Sequence, residues 1–298
     1  MGLLTSVTAT VASTEYDLSD SIRAIHLGND GFGLPSVQRL LEAGPNQDGS
    51  TDYGFDLQAR TIQLALNMLA TSNDATAYFT RREELMYIFA PRTDPIKLKV
   101  TTPLGTRQID CFYTGGLGFP SQDKQAFFGH KVAINLVCPD PLWYNPVSDN
   151  YVFTLGISSS TMTIPLSIPW NVGASTLSQS TTIPYNGTYK TSPIVVVTGP
   201  VTNLVITNTS TGKKLDFTGN TIAALNTYTI DTRFDYQTIT DQLNANQISK
   251  LTDDSDLDFQ IEAAPIVSGG VNQISVSGTS VTSATSISLT YNTKYIGL

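Results

Sequence analysis

Along most of this chain hydrophobic and polar positions alternate, and the period is that of strands. In "PIKLKVTTPLGTRQIDCFY" (95–113) Ile96, Leu98 and Val100 take turns with Lys97 and Lys99. Pro103-Leu104-Gly105 then supplies a turn, and Ile109 and Cys111 face one way while Asp110 faces the other. Residues two apart share a face of a strand, so this stretch predicts a β-hairpin. A glycine-rich loop, "TGGLGFPSQDKQ", follows, and then Val132, Ile134, Leu136 and Cys138 line one face of the next strand. That strand stops at Cys138-Pro139-Asp140-Pro141, because each proline removes a ladder donor and restricts the residue before it. Residues 139–150 therefore predict a stiff seam between two folded units, with Trp143 and Tyr144 packing it against one or both of them.

The pattern switches to a helical period once. In "DATAYFTRREELMYIF" (74–89) Asp74 is a suitable N-cap, Tyr78, Leu85, Ile88 and Phe89 recur at helical spacing, and Pro91 ends the run. A single helix among strands is expected to cover one sheet. Beyond residue 146 short alternating runs arrive at regular intervals, separated by Gly, Pro and Asn. They are "SPIVVVTGP" (192–200), "NLVITNTSTGKKLDF" (203–217), "NTYTID" (226–231), "DLDFQIEAAP" (256–265), "NQISVSG" (272–278) and "TSISLTYN" (285–292). Leu215 and Phe217 point the same way, and Ile287, Leu289 and Tyr291 oppose Ser286, Ser288 and Thr290. Many short strands at such spacing predict a β-sandwich. The fold class is thus mainly β: an N-terminal β domain with one short helix over 1–142, a linker over 143–152 and a C-terminal sandwich over 153–298.

Composition agrees with this reading. The chain has 298 residues, room for one large domain or two ordinary ones, and its charged fraction of 14% is low against a usual value of about 25%. The near-apolar run "TIQLALNMLA" (61–70) is interrupted by Gln63 and Asn67 and is far shorter than the roughly 20 residues of a membrane span, so no membrane insertion is expected. The N-terminus lacks a basic region before its apolar stretch and does not read as a secretory signal, although Gly2 and Ser6 fit the loose myristoylation pattern. A net charge of −8 with scattered cations argues against nucleic-acid binding, since Arg81-Arg82 is followed at once by Glu83-Glu84. Two cysteines form no disulfide framework and no CxxC for zinc, which predicts folding in the cytoplasm.

Reactive chemistry has few candidates. Any histidine-dependent site must use His26 or His130. Cys111 and Cys138 lie on inward strand faces, where a thiol without a cationic neighbour reacts poorly. Asp48, Asp52 and Asp56, like Asp253, Asp254, Asp256 and Asp258, lack the order of a calcium loop, and Asp256 and Asp258 alternate with Leu257 and Phe259 as on the wet face of an edge strand. "GNDGFG" (28–33) and "TGGLGF" (114–119) lack phosphate-loop spacing and read as turns. The sequons at Asn186 and Asn208 would go unused without secretion. No catalytic, cofactor-binding or metal residue is assigned, and the chain is not expected to be an enzyme. Its function is expected to lie in surfaces. One alternative is a carbohydrate-binding adhesion module using Trp170, Tyr185 and Tyr189 as stacking platforms.

The order of motifs resembles that of the distal tail proteins, or baseplate hubs, of long non-contractile-tailed bacteriophages (siphophages). In the first half the resemblance rests on "ARTIQLAL", "RREELMYIF", "KLKVTTPLGTRQIDCFYTGGLGF" and "LVCPDPLWY". In the second it rests on "GTYKTSPIVVVTGP", "LVITNTSTGKKLDF" and the closing "YIGL". Relatives often carry a Pro-Gly-Asn type turn where this chain has "AAPIVSGGVNQISV". The resemblance implies a structural virion protein whose N-terminal domain forms a hexameric ring continuing the tail tube, with a galectin-like sandwich outside it. It implies as partners further copies of the chain, the tail tube protein, a tail-associated hub or fibre protein, and receptor-binding or side-fibre components. It implies a location at the phage tail tip, after synthesis and assembly in the host cytoplasm.

Overall fold

The computed structural model describes residues 6–19, 24–68, 75–119, 130–154 and 176–298. The chain divides into two compact units, Met1–Pro146 together with Tyr295–Leu298, and Val147–Lys294. The division differs from the expected 143–152 linker on both sides. Trp143 and Tyr144 form a short strand of the first unit, Asp149–Thr154 is already a strand of the second, and the last four residues return to the first.

The first unit runs β1 (Ser6–Val11), β2 (Thr14–Asp17), β3 (Ala24–Asp30), β4 (Val37–Glu42), β5 (Thr51–Leu57), β6 (Arg60–Met68), α1 (Ala75–Ile88), β7 (Ile96–Thr102), β8 (Gly105–Gly115), β9 (His130–Cys138) and β10 (Trp143–Tyr144). Its main sheet has the order β2-β1-β7-β8-β9-β6-β3, with β10 beside β8. The expected hairpin is β7–β8, in register from Ile96 opposite Cys111 to Thr102 opposite Gly105. β8 changes partner part-way: Gly105 to Cys111 pair with β7, and Phe112 onward pair with β9. One core follows from the alternation, since Val7, Ala9, Ile62, Leu64, Leu66, Leu98, Val100, Ile109, Ile134 and Leu136 are buried in a single cluster with Tyr78, Leu85, Ile88 and Phe89 of α1. The helix therefore covers the sheet with the face that its spacing predicts. Its expected cap, Asp74, lies outside the described residues.

The proline seam has a specific role in this unit. Arg60, the first residue of β6, is buried, and its guanidinium donates only to backbone carbonyls: Nε to Pro141 O (2.8 Å), Nη1 to Gly31 O (2.6 Å) and Gly33 O (2.5 Å), and Nη2 to Ile296 O (2.6 Å). One cation thus joins the turn after β3, the Pro-Asp-Pro corner after β9 and the returning C-terminal segment. Burial lowers the Arg60 pKa, yet a guanidinium stays charged, so the carbonyl dipoles must take the place of its water. Gly31 sits at φ +85° with space for a Cβ blocked by Thr61 O at 2.0 Å, which fixes glycine at this corner. Beside it Trp143 is fully buried and meets Phe32 edge to face at 5.3 Å.

The second unit runs β11 (Asp149–Thr154), β12 (Thr176–Pro184), β13 (Ile194–Thr198), β14 (Val201–Asn208), β15 (Lys214–Asp216), β16 (Thr221–Ile222), β17 (Thr227–Asp231), β18 (Thr238–Asp241), β19 (Val271–Thr279) and β20 (Ser286–Tyr291), before β21 (Lys294–Tyr295) closes the order. One sheet is β11-β20-β13-β17-β18 and the other β12-β19-β14-β15, with β16 on β14. Val195, Val197, Ile230, Ile287 and Leu289 of the first share one core with Leu204, Ile206, Leu215, Ile274 and Val276 of the second, so the two sheets form the expected β-sandwich.

One predicted strand of this unit is absent. Residues 256–265 follow turns, and only Ile261 bridges, to Thr191. The cause is a buried amide pair. Asn208 Nδ2 donates to Gln260 O (2.9 Å) and to Asn272 Oδ1 (3.1 Å), and Asn272 exchanges hydrogen bonds with Glu262 N (3.0 Å) and O (2.8 Å). Backbone groups held by side chains are withdrawn from a strand ladder. Phe259 and Ile261 still reach the core, which is why the stretch reads as alternating.

Arg60→Met should therefore leave four carbonyls without their shared donor and destabilise the first unit by about 3 kcal/mol or more, because each buried acceptor left unpaired costs about 1–3 kcal/mol. Urea unfolding followed by Trp143 fluorescence in a Trp170→Phe background measures this. Acid sensitivity is a second expectation. The Lys99 hydrogen bond, then that of Thr8, holds Glu15 below the usual carboxylate range. A depressed folded pKa stabilises above the unfolded value near ~4 and loses that contribution as pH falls through the folded value. The urea midpoint of the wild type should exceed that of Glu15→Gln at neutral pH, and the two should converge as pH drops below ~4.

Candidate assembly surface

The residues with chemical potential are dispersed. The backbones of His26 and His130 stand in β3 and β9, opposite Leu66 and Met68 of β6. Cys111 and Cys138 are both free and buried in the first core, and burial, followed by the adjoining Cys138, pushes the Cys111 thiol well up. Asp52 receives Arg39 Nη1 at 2.7 Å and Gly54 N at 3.0 Å, while Asp48 and Asp56 are exposed. Asp254 and Asp258 pair separately with Lys214 and Lys213, and Asp256 accepts the Lys214 backbone N–H at 3.1 Å, so these acids point at lysines and not at a common centre. Among the described residues no group of three or more His, Cys, Asp or Glu could hold a metal ion. No helix among them is long and apolar enough to cross a membrane.

The glycine-rich stretches are only partly turns: Gly28–Asp30 end β3, and Thr114–Gly115 end β8. The proposed sugar platforms fare unevenly. Tyr185 is buried, its hydroxyl donating to Tyr189 O (2.6 Å) and accepting from Lys294 N (2.8 Å), and its ring packs on Tyr291 at 5.8 Å, so it offers no face to a saccharide. Tyr189 is half-buried, and Trp170 and Gly2 lie outside the described residues.

What the structure does bring together is an apolar, outward arm. β4 and β5 pair only with each other, in register from Val37 opposite Leu57 to Glu42 opposite Thr51, with a bulge between Arg39 and Leu41. A lone two-stranded ribbon is marginal in water. Every residue of β4 is exposed, among them Leu40 (42%) and Leu41 (58%), and on β5 Tyr53 (66%) and Phe55 (49%) are exposed as well. Arg39 lies over the Phe55 ring at 5.5 Å and so ties one face of the ribbon together. Exposed apolar groups in this density mark a contact surface. The second unit exposes aromatics in the β17–β18 loop, where Phe234 is free and Arg233 covers Tyr236 at 4.4 Å while pairing with Asp231.

Residues 13–138, which include the arm, the helix and the Arg60 strand, match the family model of the phage tail protein RIFT-related domain. Over that span the chain is similar to a phage tail domain. Across both units the fold is similar to that of the Dit protein (gp 19.1) of phage SPP1, with TM-score 0.64 and 16% identity over 97% of this chain and 98% of that one. That protein is described as a paradigm of the hub adsorption apparatus in phages infecting Gram-positive hosts. Chains of the phage P2 baseplate in its activated conformation align at TM-score 0.49, with Ca at 10% identity and with Sr at 9%, over 96% of this chain and 97% of theirs, and add nothing to the fold assignment. No curated protein matches the sequence. The resemblance to siphophage distal tail proteins, drawn above from the order of motifs, is borne out by the tail-domain match and the shared fold.

The arm is not among the elements predicted above, although "VQRLLE" and "TDYGFDL" flank "AGPNQDGS", whose Pro-Asn and Asp-Gly pairs are hairpin punctuation. For the two thiols of the same domain, a thiol reagent should modify neither until denaturant is added. Reaction of Cys111 or Cys138 in the native protein would contradict their burial.

Proposed function

We propose that this chain is a structural component of a siphophage distal tail, a hub whose first unit closes into a hexameric ring between the tail tube and the tail-tip adhesion apparatus. The exposed β4–β5 arm carries this reading. It projects apolar side chains that one copy leaves in water, each worth about 1.5–3 kcal/mol if fully buried. A contact that uses two different faces of the same chain generates a ring when its rotation closes. The tail-domain match supplies the setting, and the fold shared with the SPP1 protein supports a hub position.

On this reading the second unit is a galectin-like sandwich serving host attachment, with fibre or receptor-binding proteins as partners and the exposed Phe234 loop as one contact. Neighbours of the ring are the tail tube protein and a tail-associated hub or fibre protein. The role is non-enzymatic, and the protein resides in the virion after synthesis in the host cytoplasm.

Electron microscopy of the purified protein tests the proposal: closed particles with a central hole and sixfold symmetry are expected. The double substitution Leu41→Asp with Phe55→Asp should abolish them while leaving thermal unfolding almost unchanged, since exposed substitutions shift stability by only about 0.5 kcal/mol. A protein that stays monomeric at high concentration, both alone and with tail tube and hub proteins, overturns it.

A further inference from the structure

α1 covers the sheet of the first unit with one face and should present a polar face to water. It does so only in part. Thr76, Thr80 and Glu83 are exposed there, but Phe79, Met86 and Tyr87 are 52%, 40% and 53% exposed as well, with 79 and 86 two turns apart and 87 next to 86 on the face away from Leu85 and Ile88. Two guanidinium groups border this aromatic surface. Arg82 lies over the Phe79 and Phe119 rings at 5.9 and 4.7 Å, and Arg92 lies over Tyr87 at 4.6 Å while donating to its carbonyl oxygen. Neither has a carboxylate partner among the described residues, because Glu84 is taken by Arg81 at 2.8 Å.

The β4–β5 arm carries the complementary set. Residues 37–57 contain Glu42, Asp48, Asp52 and Asp56 against a single cation, Arg39, and Arg39 is paired with Asp52. Three arm carboxylates, Glu42, Asp48 and Asp56, thus have no cationic partner among the described residues. Each surface is exposed in the single chain, so the two do not satisfy one another within it. Arm against arm would set acid on acid, and helix against helix would set guanidinium on guanidinium. Arm on helix is the combination that joins opposite charge and covers both apolar sets.

We propose that the outer face of α1 in one copy of this chain is the seat of the β4–β5 arm of the next copy, with Arg82 and Arg92 taking up arm carboxylates and Phe79, Met86 and Tyr87 covering Tyr53, Phe55 and Leu41. The inference rests on the assembly reading above and adds the identity of the second face. Head-to-tail use of the two faces is the condition for ring closure.

Charge reversal and cross-linking on the full chain test it. Arg82→Glu with Arg92→Glu, and separately Glu42→Arg with Asp56→Arg, should each raise the concentration needed for assembly at least about tenfold, which is 1.4 kcal/mol. Mixing the two variants should restore assembly, because a six-membered ring that alternates them sets every arm against a helix of opposite charge, and combining all four changes in one chain should restore it as well. A chain carrying both Phe55→Cys and Met86→Cys should cross-link into a ladder ending at the closed ring, and a mixture of the two single variants should stop at dimers. Unchanged thermal unfolding verifies that each variant folds. If the wild type assembles but the reversals change nothing and the cysteines do not cross-link, the seat is elsewhere and the assembly reading stands. If the wild type never assembles, even with tail proteins present, both fall.

Discussion

The first unit depends on where one buried guanidinium finds acceptors. Among the described residues Arg60 has no carboxylate to answer its charge, and it organises backbone from three distant segments around itself. Gly31 cannot change because a Cβ would collide with Thr61 O, and the strand before Pro139 must stop so that Pro141 O can turn inward. The proline seam is thus neither a reactive tip nor a loose connection. It is a rigid corner whose carbonyl is one of the acceptors of a central cation, with Trp143 closing the space beneath it against Phe32. Arg107 repeats the device near the surface, lying over Tyr295 at 4.0 Å and donating to Gly297 O.

Strand faces were legible in the sequence wherever a sheet is buried on one side only. Ile96, Leu98 and Val100 opposite Ile109 and Cys111, and Ile287, Leu289 and Tyr291 in the sandwich, alternate because burial alternates. The helix was legible because its inward residues keep a 3.6 period. Alternation misled at 256–265, where Phe259 and Ile261 are buried but the backbone of Gln260 is engaged by Asn208 and that of Glu262 by Asn272. No local pattern announces an amide 50 or more residues away. The return of Tyr295–Leu298 to the first unit was illegible for the same reason, since Arg107, which lies over Tyr295, and Arg60, which donates to Ile296 O, are distant in sequence.

The candidate surface was harder to read than the core. An exposed ribbon and a buried strand share the same alternation, and only three-dimensional placement shows that Leu41, Tyr53 and Phe55 have no sheet beneath them. Likewise the helix pattern identified Leu85 and Ile88 as inward without showing that Phe79 and Tyr87 stay half-exposed outside. The first unit leaves Leu41, Tyr53 and Phe55 of the arm exposed beside carboxylates without a cationic partner among the described residues.

The second unit leaves the first after Pro146 and the chain comes back at Tyr295, where β21 runs alongside β10. Neighbouring strands of a sheet lie about 5 Å apart, so its entry and exit points nearly coincide. The second unit is therefore an insertion in the chain of the first, entered and left beside neighbouring strands, so the first unit's sheet closes only after the whole of the second has been traversed.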